Sequence, residues 1–323
     1  MQLLFPILSF LSAFFIAKPI ISFLCSLKGY QSFREQGPQS HIQEKAGTPT
    51  MGALIFLLPI FVFASIYAFV FHAKEIFLVL LAIFVGAFLG AIDDLLKIVK
   101  ANYKGLDSLA KLFVQLLLSS LIVFLSGRYL FVANDFVPEQ FNFLLVIFEF
   151  IWAFCVIAGA SNAINISDGL DGLATSLSVL AFLGFAFVYR HQGFYSLFDF
   201  SMIIVFALIA FFIFNKKPAQ VFMGDTGSLA LGMGLGVLAY IGKQELLLLV
   251  FAFVPVVETL SVILQVLSAK LSRRFLKKDI RIFKMAPLHH HFELSGFSEI
   301  KIVWIFALTQ LILLVLFLFL GMH

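Results

Sequence analysis

Apolar runs of roughly 15 to 25 residues recur from one end of this chain to the other, each near the length a helix needs to cross the ~30 Å hydrocarbon core of a bilayer. In lipid, backbone N–H and C=O groups find no water, so a run of this kind is read as a spanning helix. Composition agrees: hydrophobic residues are 62% and charged residues 12%, with 43 Phe and a mean hydropathy of +1.06. A water-soluble domain carries about 25% charged residues, and that reading is set aside. Ten spans are predicted, over residues 3–27, 51–72, 75–95, 109–131, 142–161, 172–190, 198–215, 227–241, 246–268 and 300–321. The expected fold is all-α, a polytopic membrane protein with one integral-membrane domain over residues 1–323. No linker and no solenoid-type repeat divides it. The first run starts Met1-Gln2-Leu3, without a basic residue or a small-residue cleavage site, and is expected to remain as a span rather than be removed. Cys25 and Cys155 lie in separate apolar stretches and read as small buried hydrophobes, not as a disulfide or metal pair. The eighth span is short and carries Gly227, Gly232, Gly234 and Gly236, a spacing that lets helix backbones approach closely, so it is expected inside the bundle.

Orientation follows from Lys and Arg. If the N-terminus is outside, the inside loops and helix ends hold seventeen of them, among them Lys28, Lys45, Lys97, Lys104, Lys111, Lys216, Lys217, Arg273 and Lys301. The outside loops hold four: Lys74, Arg128, Arg190 and Lys243. Both termini are therefore expected on the periplasmic side. Every polar motif then falls on the cytoplasmic face. The third span ends in Asp93-Asp94 with Lys97 one turn on. The loop after the fifth span carries Ser161-Asn162-Ala163-Ile164-Asn165-Ile166-Ser167-Asp168-Gly169-Leu170-Asp171-Gly172. Asn215 and then Phe222-Met223-Gly224-Asp225-Thr226-Gly227-Ser228 precede the eighth span. Pro287-Leu288-His289-His290-His291-Phe292-Glu293 closes the last inside loop.

Each motif has a plain structural reading beside a chemical one. One carboxylate at the end of the third span would mark the water boundary, but two adjacent ones repel and want a cation, magnesium being the hard ion that suits oxygen ligands. Asp168 and Asp171 lie on one side of a helical turn, and either could cap the sixth span. Gly224-Asp225-Thr226-Gly227 reads as a capped start of the eighth span, and a helix N-terminus also suits an anionic ligand. Three consecutive histidines cannot all reach one ion from a regular helix. An engineered tag would be longer and terminal, so phosphate or sugar binding is preferred to zinc. Between Leu271 and Phe283, basic and apolar residues alternate in a pattern that suits a helix lying in the membrane interface, or a simple positive-inside anchor. Capping explains each carboxylate singly. It does not explain why all of them share one face. Carboxylates, a cation-seeking cluster, Lys and His donors and a membrane together fit phosphoryl transfer, where catalysis is mostly positioning and charge neutralisation. The rival from another class, an ion-coupled secondary transporter, places its ionisable groups near the midplane and commonly within repeats. Nothing in the charge pattern calls for nucleic acid.

At these residues the chain resembles the polyprenyl-phosphate N-acetylhexosamine-1-phosphate transferases. The Asp-Asp motif, the stretch from Asn162 to Ala174 and the stretch from Phe222 to Gly232 carry the superfamily resemblance. Lys45-Ala46-Gly47-Thr48-Pro49-Thr50-Met51-Gly52 and the Pro-Leu-His-His-His-Phe-Glu run select the peptidoglycan branch over the N-acetylglucosamine-1-phosphate branch, which is the nearer alternative. The match runs in order from about residue 45 to 293, and its departures, Ala53, Leu95 and Ser167, touch no proposed charge.

The resemblance implies a ten-helix homodimer in the bacterial inner membrane. It implies an enzyme that uses magnesium to move phospho-MurNAc-pentapeptide from UDP to undecaprenyl phosphate, giving lipid I and UMP. It implies Asp225 as first magnesium ligand with Asp94 and Asp168 beside it, and Asp93 activating the lipid phosphate for direct attack. A covalent aspartyl intermediate is the competing route. Lys97, Lys104 and Lys45 would neutralise phosphate charge, Asp171, Asn215 and Phe222 would hold uridine, and His289, His290 and His291 would take the sugar–phosphate side. Thr50, Asn162, Asn165 and Gln265 complete the candidate substrate-binding set.

Overall fold

The computed structural model describes residues 3–27, 47–99, 105–128 and 139–321. Lys45 and Lys104, both candidate phosphate ligands, lie outside the described residues. Among the described residues there is no strand, and ten long helices account for the bundle: α1 (Leu4–Ser26), α2 (Leu54–Val70), α3 (Lys74–Val99), α4 (Ser108–Ser126), α5 (Glu139–Ile166), α6 (Leu173–Gln192), α7 (Tyr195–Asn215), α8 (Gly224–Ile241), α9 (Phe253–Leu276) and α10 (Glu299–Gly321). Eight of them are long and apolar enough to cross a membrane. The other two are α2, which has 17 residues, and α8, which has 18.

The glycine-rich α8 is the axis of the molecule. All its residues except Asp225 and Ile241 are buried. Gly232 and Gly236 bring its backbone against that of α5 at Ser161 and Ile157, where an added Cβ would lie 2.5 and 2.9 Å from the facing Cα atoms. On another side, Gly86 and Gly90 of α3 present the same absence of side chain to Leu229 and Asp225. Van der Waals contact of this closeness is what holds helices together where lipid is as apolar as leucine. The segment's modest hydrophobicity therefore reflects its neighbours, which are protein rather than lipid.

The expected ninth span, 246–268, is broken. A short helix, Leu248–Phe251, ends at Ala252, and α9 begins at Phe253 with Pro255 in its first turn. A break leaves backbone groups without helical partners, which is costly away from water. Gln310 of α10, fully buried, bridges it: its Oε1 accepts from the Val254 N–H at 3.0 Å and its Nε2 donates to the Val250 carbonyl at 2.7 Å.

Four local expectations are corrected. Residues 161–166 belong to α5 rather than to a loop, and Asp93 to Lys97 lie within α3. The basic stretch after Leu271 forms no separate interfacial helix: 271–276 are the last turns of α9, which stops at Lys277 in a left-handed conformation. Cys155 is exposed on α5 rather than buried.

Candidate active site

The C-terminal end of α3, the N-terminal ends of α4 and α8, and the strap at residues 48–52 meet at one end of the bundle. Asp94 is almost wholly buried and is spent on α8. Its Oδ1 accepts from the Asp225 N–H at 3.1 Å; its Oδ2 accepts from the Thr226 N–H at 3.0 Å and from the Thr226 hydroxyl at 2.7 Å. First-turn N–H groups have no partner within their own helix, and the positive end of the helix dipole favours a carboxylate. The cap of α8 thus comes from α3, not from Asp225. Gly224 makes room for it, with φ +73° and an absent Cβ that would sit 2.5 Å from Asp94 Oδ2 and 2.7 Å from Thr50 Oγ1. Thr50 is held there because Gly52 N–H donates to the Phe222 carbonyl and Phe222 N–H donates to the Pro49 carbonyl.

Asp93 and Asp225 face each other across two lysines. Lys97 Nζ lies 2.6 Å from Asp93 Oδ2 and 3.1 Å from Asp225 Oδ1. Lys111 Nζ lies 2.9 Å from Asp93 Oδ1 and 2.8 Å from Asp225 Oδ2. Leu106 N–H also donates to Asp93 Oδ1, at 2.6 Å. Asp93 is fully buried, whereas the Asp225, Lys97 and Lys111 side chains keep 17%, 25% and 19% exposure, so the site opens on the side of those three. Asp93, Asp94 and Asp225 can each offer an oxygen within 4.8 Å of the others. Three carboxylates against two ammonium groups leave a surplus of negative charge around an all-oxygen donor set, which fits a hard divalent cation. Asp168 lies outside this trio. Lys111 was visible in the sequence only as an inside charge; its place between two carboxylates makes it a site residue.

The remaining candidates fall into three groups around this centre. Asn165 Nδ2 donates to Ser228 Oγ at 2.8 Å, and Ser228 donates to the Gly224 carbonyl at 3.1 Å, so Asn165 braces the first turn of α8. Asn162 Nδ2 donates to the Ala158 carbonyl at 2.7 Å, within α5. Asp171, Asn215 and Phe222 surround the segment 216–222. Asp171 Oδ2 accepts from the Ala219 N–H at 3.1 Å, and Asn215 donates to the Val221 carbonyl at 3.0 Å while accepting from Thr175. The Asp171 N–H donates to Glu299 Oε1 at 2.7 Å, and Glu299 also pairs with Lys217. The N-cap position of α6 is Gly172, which offers no side-chain cap, rather than Asp168 or Asp171. In the third group, Gln265 clamps Phe283 through both ends of its amide, at 2.8 and 3.0 Å, ahead of the short helix Leu288–Glu293. His290 Nδ1 pairs with Glu293 at 2.7 Å, and His291 Nδ1 accepts from the Lys284 N–H at 3.1 Å. His289 is buried against Glu258, a residue of the ninth span that motif reading passed over.

Comparison with known proteins bears on this geometry. Residues 76–243, which contain the carboxylate trio and both lysines, match glycosyl transferase family 4. The chain is 41% identical to the phospho-N-acetylmuramoyl-pentapeptide-transferase of Staphylococcus epidermidis (strain ATCC 12228 / FDA PCI 1200) over 335 residues, 100% of each chain. It is 42% identical to that of Clostridium perfringens (strain 13 / Type A) over 309 residues, 95% of this chain and 94% of the relative. This chain belongs to the phospho-N-acetylmuramoyl-pentapeptide-transferase family. A transferase of this family that is also a multi-pass membrane protein must do its chemistry where polar groups from several helices converge. The end of the bundle that holds Asp93, Asp94, Asp225, Lys97 and Lys111 is such a place.

Proposed function

We propose that this transferase moves phospho-MurNAc-pentapeptide from UDP-MurNAc-pentapeptide to undecaprenyl phosphate at the cytoplasmic face of the bacterial inner membrane, releasing UMP and leaving lipid I. The observation that carries the reading is the junction of Asp93, Asp94 and Asp225 with Lys97 and Lys111, within a chain whose whole length aligns with named transferases of this reaction. Ten crossings are assigned by adding α2 and α8 to the eight apolar helices. The excess of Lys and Arg on one set of loops supports a site inside and both termini outside.

Asp225 and Asp94, with Asp93 behind them, would hold Mg2+, for which an all-oxygen donor set is suited. When bound, the ion neutralises charge on the diphosphate being broken. Lys97 and Lys111 serve the same purpose from the protein side and pair with Asp93. Asp93 is fully buried and met by an ammonium group at each oxygen, an arrangement that suits activation of the lipid phosphate through those lysines better than in-line attack by the carboxylate itself. That favours direct attack by the lipid phosphate on the β-phosphorus over a covalent aspartyl intermediate. Asp168 would serve as a further candidate ligand, Asp171, Asn215 and Phe222 would shape a uridine pocket around 216–222, and the 289–291 histidines would take the sugar–phosphate side. Thr50, Asn162, Asn165 and Gln265 support these walls, and Lys45 and Lys104 add positive charge. The chain is assigned as a homodimer from the family resemblance.

The test is purified protein in detergent with undecaprenyl phosphate, Mg2+ and one of two nucleotide sugars. UMP release with UDP-MurNAc-pentapeptide and none with UDP-GlcNAc is expected; release with UDP-GlcNAc alone would overturn the assignment of substrate.

A further inference from the structure

Glu258, to which the proposed reaction gives no role, forms a buried pair with His289. Glu258 sits in the second turn of α9 and His289 on the six-residue helix Leu288–Glu293; each side chain is 1% exposed. The carboxylate grips the histidine at two points. Oε1 accepts from the His289 backbone N–H at 3.1 Å, and Oε2 lies 3.0 Å from ring Nδ1. With Oε1 already accepting from the backbone N–H, an accepting Oε2 would require the ring proton on Nδ1. The backbone contact fixes where the ring starts, and the ring contact fixes how it is turned.

What this leaves over is Nε2. It is buried and has no hydrogen-bond partner among the described residues. A lone buried polar atom is costly, so its position asks for an explanation. It points at Gly169, in the loop that carries Asp168 and Asp171, and it occupies the space a Cβ at Gly169 would take. The ring is therefore aimed across a residue without a side chain, between Asp168 and Asp171 in the chain.

We propose that Glu258 is a positioning residue of this transferase: it locks His289 in the Nδ1–H tautomer and turns Nε2 across Gly169 toward the bound nucleotide sugar. The plain alternative is that the pair merely fastens the short helix to α9. Fastening depends on the strength of the contact, whereas positioning depends on which nitrogen carries the proton and where the ring points. The proposal rests on the transferase reading for its kinetic arm and not for its spectroscopic one.

Two variants of the full chain separate these roles. Glu258→Gln keeps the shape and can still bind the backbone N–H, but it no longer enforces a proton on Nδ1. Turnover is expected to fall about ten- to hundredfold, as for the loss of a ligand's orienting partner. The KM for the nucleotide sugar and the unfolding temperature are expected to stay near those of the parent. In 15N-histidine spectra, the His289 ring signal, assigned by its absence in His289→Asn, is expected to lose the Nδ1–H signature. Gly169→Ala keeps the pair but drives a methyl group into the ring; a similar loss of turnover with the Nδ1–H signature retained is expected. Parent-like turnover in Glu258→Gln, or a loss that follows the unfolding temperature alone in both variants, would overturn the proposal. Parent protein that releases no UMP but shows the Nδ1–H signature would sink the reaction assignment and leave the tautomer assignment standing.

Discussion

The two ends of α8 carry buried charge clusters of the same sign and opposite design. At the N-terminal end, Asp93, Asp94 and Asp225 are met by Lys97 and Lys111; at the C-terminal end, Glu149 and Glu245 are met by Arg128. Among the described residues, each cluster's ion pairs join one more carboxylate than cations. At the far end the surplus is absorbed. The Tyr240 hydroxyl donates to Glu149 at 2.6 Å, Arg128 Nε lies 3.0 Å from the same carboxylate, and the guanidinium reaches Glu245 while lying 4.3 Å over the Tyr240 ring. A planar cation with five donors suits such closure. At the near end the cations are lysines, which bind as points, and three carboxylate oxygens gather within 4.8 Å of one another. Negative surplus that a protein closes with tyrosine and arginine is architecture. Negative surplus gathered around one point is a place for a cation.

Substitutions at both ends can break that contrast. The largest effect is expected from Asp225→Asn, which removes the most exposed member of the trio without changing its shape. Turnover at saturating Mg2+ should fall by about a thousandfold, the scale of losing a preorganised electrostatic contact in a reaction centre. The unfolding temperature should not fall, because the charge removed was in excess. UMP release across a Mg2+ titration measures the first and thermal unfolding in detergent the second. Near-normal turnover with unchanged Mg2+ dependence would make the near end no more a cation site than the far end. Arg128→Met should behave in the opposite way. It strands Glu149 and Glu245 in the interior, and breaking a buried pair from one side costs about 3–5 kcal/mol. That loss should appear in unfolding, with turnover of the folded protein within about twofold of the parent, a margin well below the tenfold that 1.4 kcal/mol would bring. A drop in turnover without destabilisation would mean that the far cluster takes part in the reaction.

How much of this could be read beforehand depends on what lipid forces and what it leaves free. Eight of the spans were legible because a bilayer admits few alternatives, and α8 was legible as an inner helix from its glycines. The carboxylate motifs were legible because adjacent like charges at a helix end demand an explanation. Local reasoning failed where the partner was remote. Asp225 read as the cap of its own helix, while the capping carboxylate is Asp94, 131 residues earlier in the chain. The break at Ala252 left no mark beyond Pro255, since the side chain that makes it tolerable, Gln310, comes from another span. Glu258 did leave a signal, a carboxylate within an apolar span, which is a functional candidate by default. Its partner His289 is 31 residues away in a triplet whose members are not equivalent.

Lys111 is the residue whose sequence reading was most misleading, because the positive-inside rule explained it too easily. A lysine near the inner end of a span needs no further reason to exist. In the fold it touches both Asp93 and Asp225, as Lys97 does, so each lysine can partly stand in for the other. Lys111→Met is therefore expected to lower turnover less than Asp225→Asn, by about ten- to hundredfold, which is typical when a supporting partner of a reactive group is lost. The double variant with Lys97→Met sharpens the point. Residues that share both partners are coupled, so the two losses should not add on a free-energy scale. If the lysines compensate for each other, the double variant should lose more than the sum of the singles, since only then are Asp93 and Asp225 left without any ammonium group. Strict additivity in UMP release would mean that the lysines act on different species, one on the carboxylates and the other on the substrate. The near cluster would then divide into two sites rather than form one.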